Sequence, residues 1–281
     1  MPKPPVTPAP VILDSVTHLK AEHRGAITYS ASHAGRYACW VAAEQGVAAV
    51  ILNDAGIGRE QAGIAGLFLL ADLGVPAAAI SHRSARIGDG QDGRARGVLS
   101  SINGPAKALG LAEGMSCRAA LEKLCAADLP PSPKPAKEHE ARYEDKAAGR
   151  GGVKVVVMDS VSLVTPEEAG HIIVAASHGG ILGGRPETAV KYDVFAAVTC
   201  DADRGIDDAG ISRLPAMQTR GIAGACVSAF SARIGDGRSL YEDGYISVLN
   251  ETAKKHGGRI GQSCREFVAA MVEARIKEWG V

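Results

Sequence analysis

Three kinds of short stretch in this chain combine residue types able to bind, orient or attack, and each occurs twice. Ser32-His33 and Ser177-His178 precede glycine-containing turns ("ASHAG", "ASHGG"), Asp54 and Asp201 follow apolar runs, and "SARIGDG" occupies both Ser84–Gly90 and Ser231–Gly237. Neighbouring residues on a strand point to opposite faces, so Ser and His act as a nucleophile–base pair only if the chain turns between them. The glycine that follows permits such a turn, whose open amides can hold an anion. The competing reading is a Ser and a His satisfying local backbone groups. Asp54 and Asp201 read as catalytic or binding carboxylates, or as Asx turns or helix caps. Arg86 and Arg233 offer a fork of donors suited to carboxylate or phosphate, with Asp89 and Asp236 placed to orient that fork. The alternative is an ion pair that stiffens the turn.

The two copies differ in their reactive groups. Cys200 stands before Asp201 where Asn53 stands before Asp54, so only the second copy places a thiol at a strand end. A thiol needs a nearby base to become a thiolate, and His178 is the candidate; Cys is also a common small core residue. His82 occurs only in the first copy, opposite Ala229 in the second, whereas Tyr241, Glu242 and Asp243 occur only in the second. The expected catalytic set is therefore His178, Cys200, Ser177 and Asp201. The expected substrate-binding set is Ser32, His33, Asp54, Ser84, Arg86, Ser231, Arg233 and Asp236, with no metal.

Residues 171–236, carrying "SHGG" and "TCDADRG", resemble cysteine hydrolases of the caspase-like and CHAT type, which place a His in an "HG" turn after one strand and a Cys after the next. That resemblance implies His178 as base and Cys200 as nucleophile, although the spacing between them is shorter than in the pattern. The paired strand-end motifs also resemble two-domain racemases and decarboxylases of the aspartate/glutamate racemase type. Those racemases use a Cys from each half, and Asn53 at the matching position disfavours a two-thiol mechanism. Neither resemblance assigns a family.

The elements that must position these residues recur with them. "DSVT" at 14–17 matches "DSVS" at 159–162, a shift of 145 (159 − 14) that also superposes the two SH motifs. Beyond an insertion the shift becomes 147 (199 − 52), relating "LNDA" to "TCDA", the two SARIGDG copies, Asn103 to Asn250, and Cys117 to Cys264. The chain reads as a flexible tail at 1–10, a first α/β repeat at 11–128, a Pro- and Lys-rich linker at 129–152 and a second repeat at 153–281. In each repeat, apolar runs end in an SH motif, an Asp and SARIGDG, alternating with helical patterns at 59–73 and 206–220. This predicts βαβ units with parallel sheets, two homologous α/β halves from an internal duplication related by a pseudo-twofold axis. Phe267, Met271 and the Val272–Ile276 pair predict a helix over 262–279. The motifs then fall at the carboxyl edge of a parallel sheet, where ligands bind in such folds.

Composition bounds the partners. Apolar residues make up 46% of 281 residues but aromatics only 4%, and Lys plus Arg equal Asp plus Glu at 31 each, with no dense basic stripe to grip nucleic acid. The six cysteines lack CxxC spacing, so neither a disulfide framework nor a zinc site is expected. No signal-like start and no membrane-length apolar run is visible, which predicts a cytoplasmic protein. The chain has no GxGxxG in a dinucleotide context and no GxxxxGK[ST] loop, so no nicotinamide, flavin or ATP cofactor is expected. The expectation is a homo-oligomeric enzyme on a small anionic or amide-bearing metabolite bound between the repeats, hydrolysing a C–N or related acyl bond. An isomerase, racemase or lyase using Cys200 and His178, or a non-catalytic small-molecule binding protein, is the alternative.

Overall fold

The structure, a computed structural model, describes residues 9–280, so most of the expected tail at 1–10 lies outside the described residues. The chain forms two compact units. The first comprises the chain up to Asp54 together with Ile64–Glu138, and the second comprises Ala55–Gly63 together with His139 onward.

The first unit holds β1 (Val11–Leu13), β2 (Ile27–His33), α1 (Arg36–Glu44), β3 (Ala49–Asn53), α2 (Gly66–Asp72), β4 (Ala77–Ile80), α3 (Gly90–Arg96), β5 (Leu99–Ile102), α4 (Gly104–Ala108) and α5 (Cys117–Ala126). Its five strands lie in the order β1-β2-β3-β4-β5. The first four are parallel and β5 is antiparallel to β4. The second unit adds β6 (Arg142–Glu144), β7 (Val155–Met158), β8 (Ile172–His178), β9 (Ala196–Cys200), α6 (Arg213–Thr219), β10 (Ala223–Val227), α7 (Gly237–Glu242), β11 (Ile246–Leu249), α8 (Glu251–Lys255) and α9 (Cys264–Trp279). Its six-stranded sheet runs β11-β10-β9-β8-β7-β6, with β7 to β10 parallel and both edge strands antiparallel.

Both sheets are therefore mixed rather than purely parallel. The SARIGDG turn leaves the chain at the carboxyl edge, and α3 has only seven residues, about 10 Å of helix at 1.5 Å per residue. That is too short to return the chain to the far edge of a four-residue strand and clear it. The next strand therefore starts from the edge where the last one ended. Two expected helices are likewise shorter than the pattern implied: 59–73 and 206–220 become 3-10 turns followed by α2 and α6. The stretch 129–152 is more ordered than a linker, since Ser132 is buried and β6 lies within it.

The central strands are continuous apolar runs, as strands covered on both faces must be. Each unit has its own core. In the first, Tyr29, Ile51, Ile80 and Leu99 pack against Leu121 and Leu124 of α5; in the second, Val156, Ile173 and Cys226 pack with Leu214 and Met217 of α6. One compensating exchange shows how the same frame accepts different residues. Gly93 of α3 leaves room for the Tyr29 ring, which any Cβ there would strike, while the positions offset by 145 and 147 hold Val174 and Leu240. The large strand residue thus goes with a glycine in one unit, and the smaller one with a leucine at the corresponding offset in the other.

Candidate functional site

Parallel strands end on one edge, so in each unit the DSV segment, the SH turn, the Asp and SARIGDG are brought to that edge. There they hold one another through the backbone. Ser32 Oγ accepts from the Val16 amide at 2.9 Å, and Ser177 Oγ accepts from Val161 at 2.9 Å. His33 Nδ1 accepts from Gly35 N and His178 Nδ1 from Gly180 N, each at 3.1 Å. Burial lowers the His33 imidazole to about 4, so the ring is neutral and able to accept at ordinary pH. Asp14 and Asp159 take the amides of Gly90 and Gly237 at 2.9 and 2.8 Å, pinning the start of the helix that follows SARIGDG.

Asp201 forms the Asx turn that its sequence position allows, its Oδ1 accepting from the Asp203 amide at 3.0 Å, and both aspartates bond well beyond their own turn. Each reaches sideways across two strands. Asp201 Oδ1 accepts from the Ala229 amide at 2.9 Å, and its Oδ2 from Ser247 Oγ at 2.7 Å. Asp54 repeats both bonds, from the His82 amide at 2.9 Å and Ser100 Oγ at 2.7 Å, and adds a third at 2.7 Å to His82 Nδ1. Burial acts to raise the Asp54 carboxyl, but the hydrogen bonds from His82 and Ser100 outweigh it and hold the group below the usual carboxylate range. His82 Nε2 accepts from Arg83 Nε at 3.3 Å, so the proton on the ring sits at Nδ1, facing the carboxylate.

In SARIGDG, Ser84 and Ser231 donate to the carbonyls of Ser81 and Ser228 and accept from the amides of Val98 and Tyr245. Asp89 and Asp236 cap α3 and α7. Arg86 Nη1 lies 3.7 Å from Asp89 and 3.6 Å from Asp92. Arg233 is held more closely, with Nε and Nη2 on Asp236 Oδ2 at 3.0 and 2.9 Å and Nη1 on Glu60 at 3.2 Å. An anion binding there has to exchange with these carboxylates. Cys200 is fully buried at the end of β9, opposite His178 in the ladder, and burial together with the Asp201 charge pushes its thiol well above the ordinary value. That environment disfavours the thiolate a nucleophile requires.

No family model, no curated protein and no solved structure matches this chain. The local geometry alone therefore has to identify the site. Among the described residues no group of three or more His, Cys, Asp or Glu side chains is placed to hold a metal ion.

Among the described residues, the segments directly after Asp54 and Asp201 hold all the non-glycine residues with positive φ. Ala55, Ile57, Glu60 and Gln61 have φ between 47° and 62°, and Ala202, Asp203, Arg204, Asp207 and Asp208 between 49° and 60°. Left-handed backbone costs a non-glycine residue roughly 1–2 kcal/mol, and a β-branched residue such as Ile57 is a marked outlier there. Such strain clusters where function requires a fixed geometry. Both segments belong to the second unit, where a Cβ at Gly56 would strike Asp203.

Several groups of this edge escaped the motif reading: Asp14 and Asp159, Ser100 and Ser247, and Arg83. The first two pairs recur at offsets of 145 and 147 and so carried a usable signal. Arg213 carried none. It is buried beneath the SH turn of the second unit, donates to the His178 carbonyl at 3.2 Å and to those of Thr188 and Ala189, and occupies the position offset from Gly66.

Proposed function

We propose that the chain is an enzyme of small-molecule metabolism that hydrolyses a C–N or related acyl bond in an anionic metabolite, with His82 as the base that takes a proton from the attacking water. The observation that carries this reading is the buried Asp54–His82 pair at 2.7 Å. A carboxylate on Nδ1 fixes the ring and its tautomer and leaves Nε2 as the proton acceptor, the arrangement general-base catalysis needs. Arg83, on that same nitrogen, is positioned to exchange its contact for an anionic group of the substrate. Water is the attacking group in this reading because the Cys200 thiol is buried and protonated.

The same base serves an isomerase or lyase if the proton it takes is bound to carbon. A non-catalytic binding protein is favoured by a different observation, the engagement of Ser32, His33, Ser177, His178 and Asp201 with backbone amides.

Ala229 at the matching position keeps the Asp201 latch with no imidazole, so His82→Ala removes the base while sparing the frame. Wild-type protein incubated with a panel of N-acyl and cyclic-amide carboxylates should release amine or ammonia. His82→Ala should reduce that rate at least 100-fold, the lower range for a general base, with an unchanged melting temperature. Full activity in His82→Ala would sink the assignment, and saturable binding of panel members without turnover would decide for the binding protein.

A further inference from the structure

In the second unit, β6 lies antiparallel on the outer edge of β7, with Arg142 opposite Met158, Tyr143 opposite Val157 and Glu144 opposite Val156. Its side chains settle on the helices alongside. Arg238 of α7 stacks over the Tyr143 ring at 5.8 Å. Tyr241 of α7 donates to Asp145 Oδ2 at 3.0 Å, and Arg265 of α9 lies 3.7 Å from the same oxygen. Arg265 also stacks on the Tyr241 ring at 5.0 Å. Under this cover every residue of β7 is buried.

Among the described residues, the first unit has the same elements without the cover. β1 ends its sheet, and Val11–Leu13 remain half-buried at the offset where Val156–Met158 are buried. Beside β1, α3 and α5 border a groove of about 590 Å³ lined by Pro10, Gln91, Arg94, Arg118, Leu121 and Glu122, among others. At the offset of 147, Gln91 stands for Arg238, Arg94 for Tyr241 and Arg118 for Arg265. Where the second unit meets the Asp145 carboxylate with one guanidinium and one phenol, the first therefore offers two guanidiniums. Neither has a hydrogen-bond or ion-pair partner among the described residues.

We propose that this groove and the open edge of β1 bind an extended acidic segment of a partner protein, added antiparallel to β1 as β6 is added to β7, with a carboxylate between Arg94 and Arg118. An open strand edge supplies the ladder donors and acceptors, and paired arginines supply the charge-assisted contacts that select an acidic side chain. Residues 1–8, "MPKPPVTP", carry four prolines, one lysine and no carboxylate, matching neither the ladder nor the arginines.

The probe is a fluorescein-labelled, amidated peptide Ala-Ala-Tyr-Glu-Asp-Ala, patterned on residues 141–146 with Arg142 and Lys146 replaced by alanine, titrated with the full chain by anisotropy. Saturable binding is expected, weakened at least tenfold by the double variant Arg94→Gln/Arg118→Gln and by N-methylation of the peptide's central amides. Both arginines are exposed, so the double variant should keep the wild-type circular dichroism and melting temperature. Absence of saturable binding at millimolar protein, or undiminished binding by the double variant or the N-methylated peptide, would overturn the proposal. Full displacement by inorganic phosphate at concentrations matching the peptide would assign the arginines to a small anion instead. Self-association of the wild-type chain that the double variant abolishes would assign the groove to a second copy.

Discussion

His33 illustrates how one residue type divides between structure and chemistry. Its Nδ1 accepts the Gly35 amide, and only the neutral ring can do so. With a folded value of about 4 against roughly 6.5 in an unfolded chain, the unfolded state binds the extra proton first. Stability is then fully present above pH 6.5 and declines as pH falls towards 4, by up to about 1.4 kcal/mol per pH unit. Urea midpoints at pH 7.5 and 5 should therefore differ more in wild type than in His33→Gln, which keeps an acceptor but does not titrate; equal differences would remove His33 from the acid response. The Asp54–His82 pair is the opposite case: at the corresponding offset, Ala229 bonds Asp201 through its amide alone, so that frame stands without an imidazole.

At the scale of elements, the SH turn, the Asp latch and SARIGDG form a clasp that joins strand ends, and two asparagines complete it from the opposite edge. Asn103 Oδ1 accepts from Ala77 N and Ala106 N, each at 3.0 Å, while Nδ2 donates to Val75 O at 2.8 Å. Asn250 repeats these bonds with Gly224, Ala253 and Ile222 at 3.0, 2.9 and 2.9 Å. Each side chain is buried and ties a helix start to a neighbouring strand and its approach. Asn250→Ala removes the partner of two amides and of two carbonyls, those of Ile222 and Leu214. It should cost about 2–4 kcal/mol, the sum of a lost cap and buried unsatisfied groups, read as a lowered urea midpoint with an unchanged m-value. A cost under 0.5 kcal/mol would mean that water replaces the side chain.

At the scale of the whole molecule, the two described cores share no residue, Ile12 to Leu129 in one and Val156 to Val248 in the other. Leu124 is fully buried, so Leu124→Ala should destabilise its own core by about 2–5 kcal/mol. Hydrogen exchange should report lost protection in β2, β3 and β4 with β8, β9 and β10 unchanged; equal loss in both sheets would mean that the cores unfold as one. No described helix is long and apolar enough to cross a membrane, and all six cysteines are free thiols, five of them buried.

The sequence by itself determined that the chain is α/β in two halves, that the motifs fall at strand ends, and that α9 runs through Phe267 and Met271. Those features rest on local apolar periodicity and on identities at a constant offset, both readable along one dimension. Only the tertiary structure decided what each motif side chain does. The sequence could not reveal that Asp54 bonds across two strands to Ser100, because that contact spans 46 positions and depends on the strand order. Nor could it separate His82, paired with a carboxylate, from His33 and His178, engaged with backbone amides. The antiparallel edge strands were hidden for the same reason: whether a chain returns to the far edge depends on the length of a helix beside a strand, which residue patterning near a glycine-rich turn leaves undefined. Cys200 was a nucleophile candidate only while its surroundings were unknown, since burial decides the ionisation of a thiol and burial is a property of the packed fold.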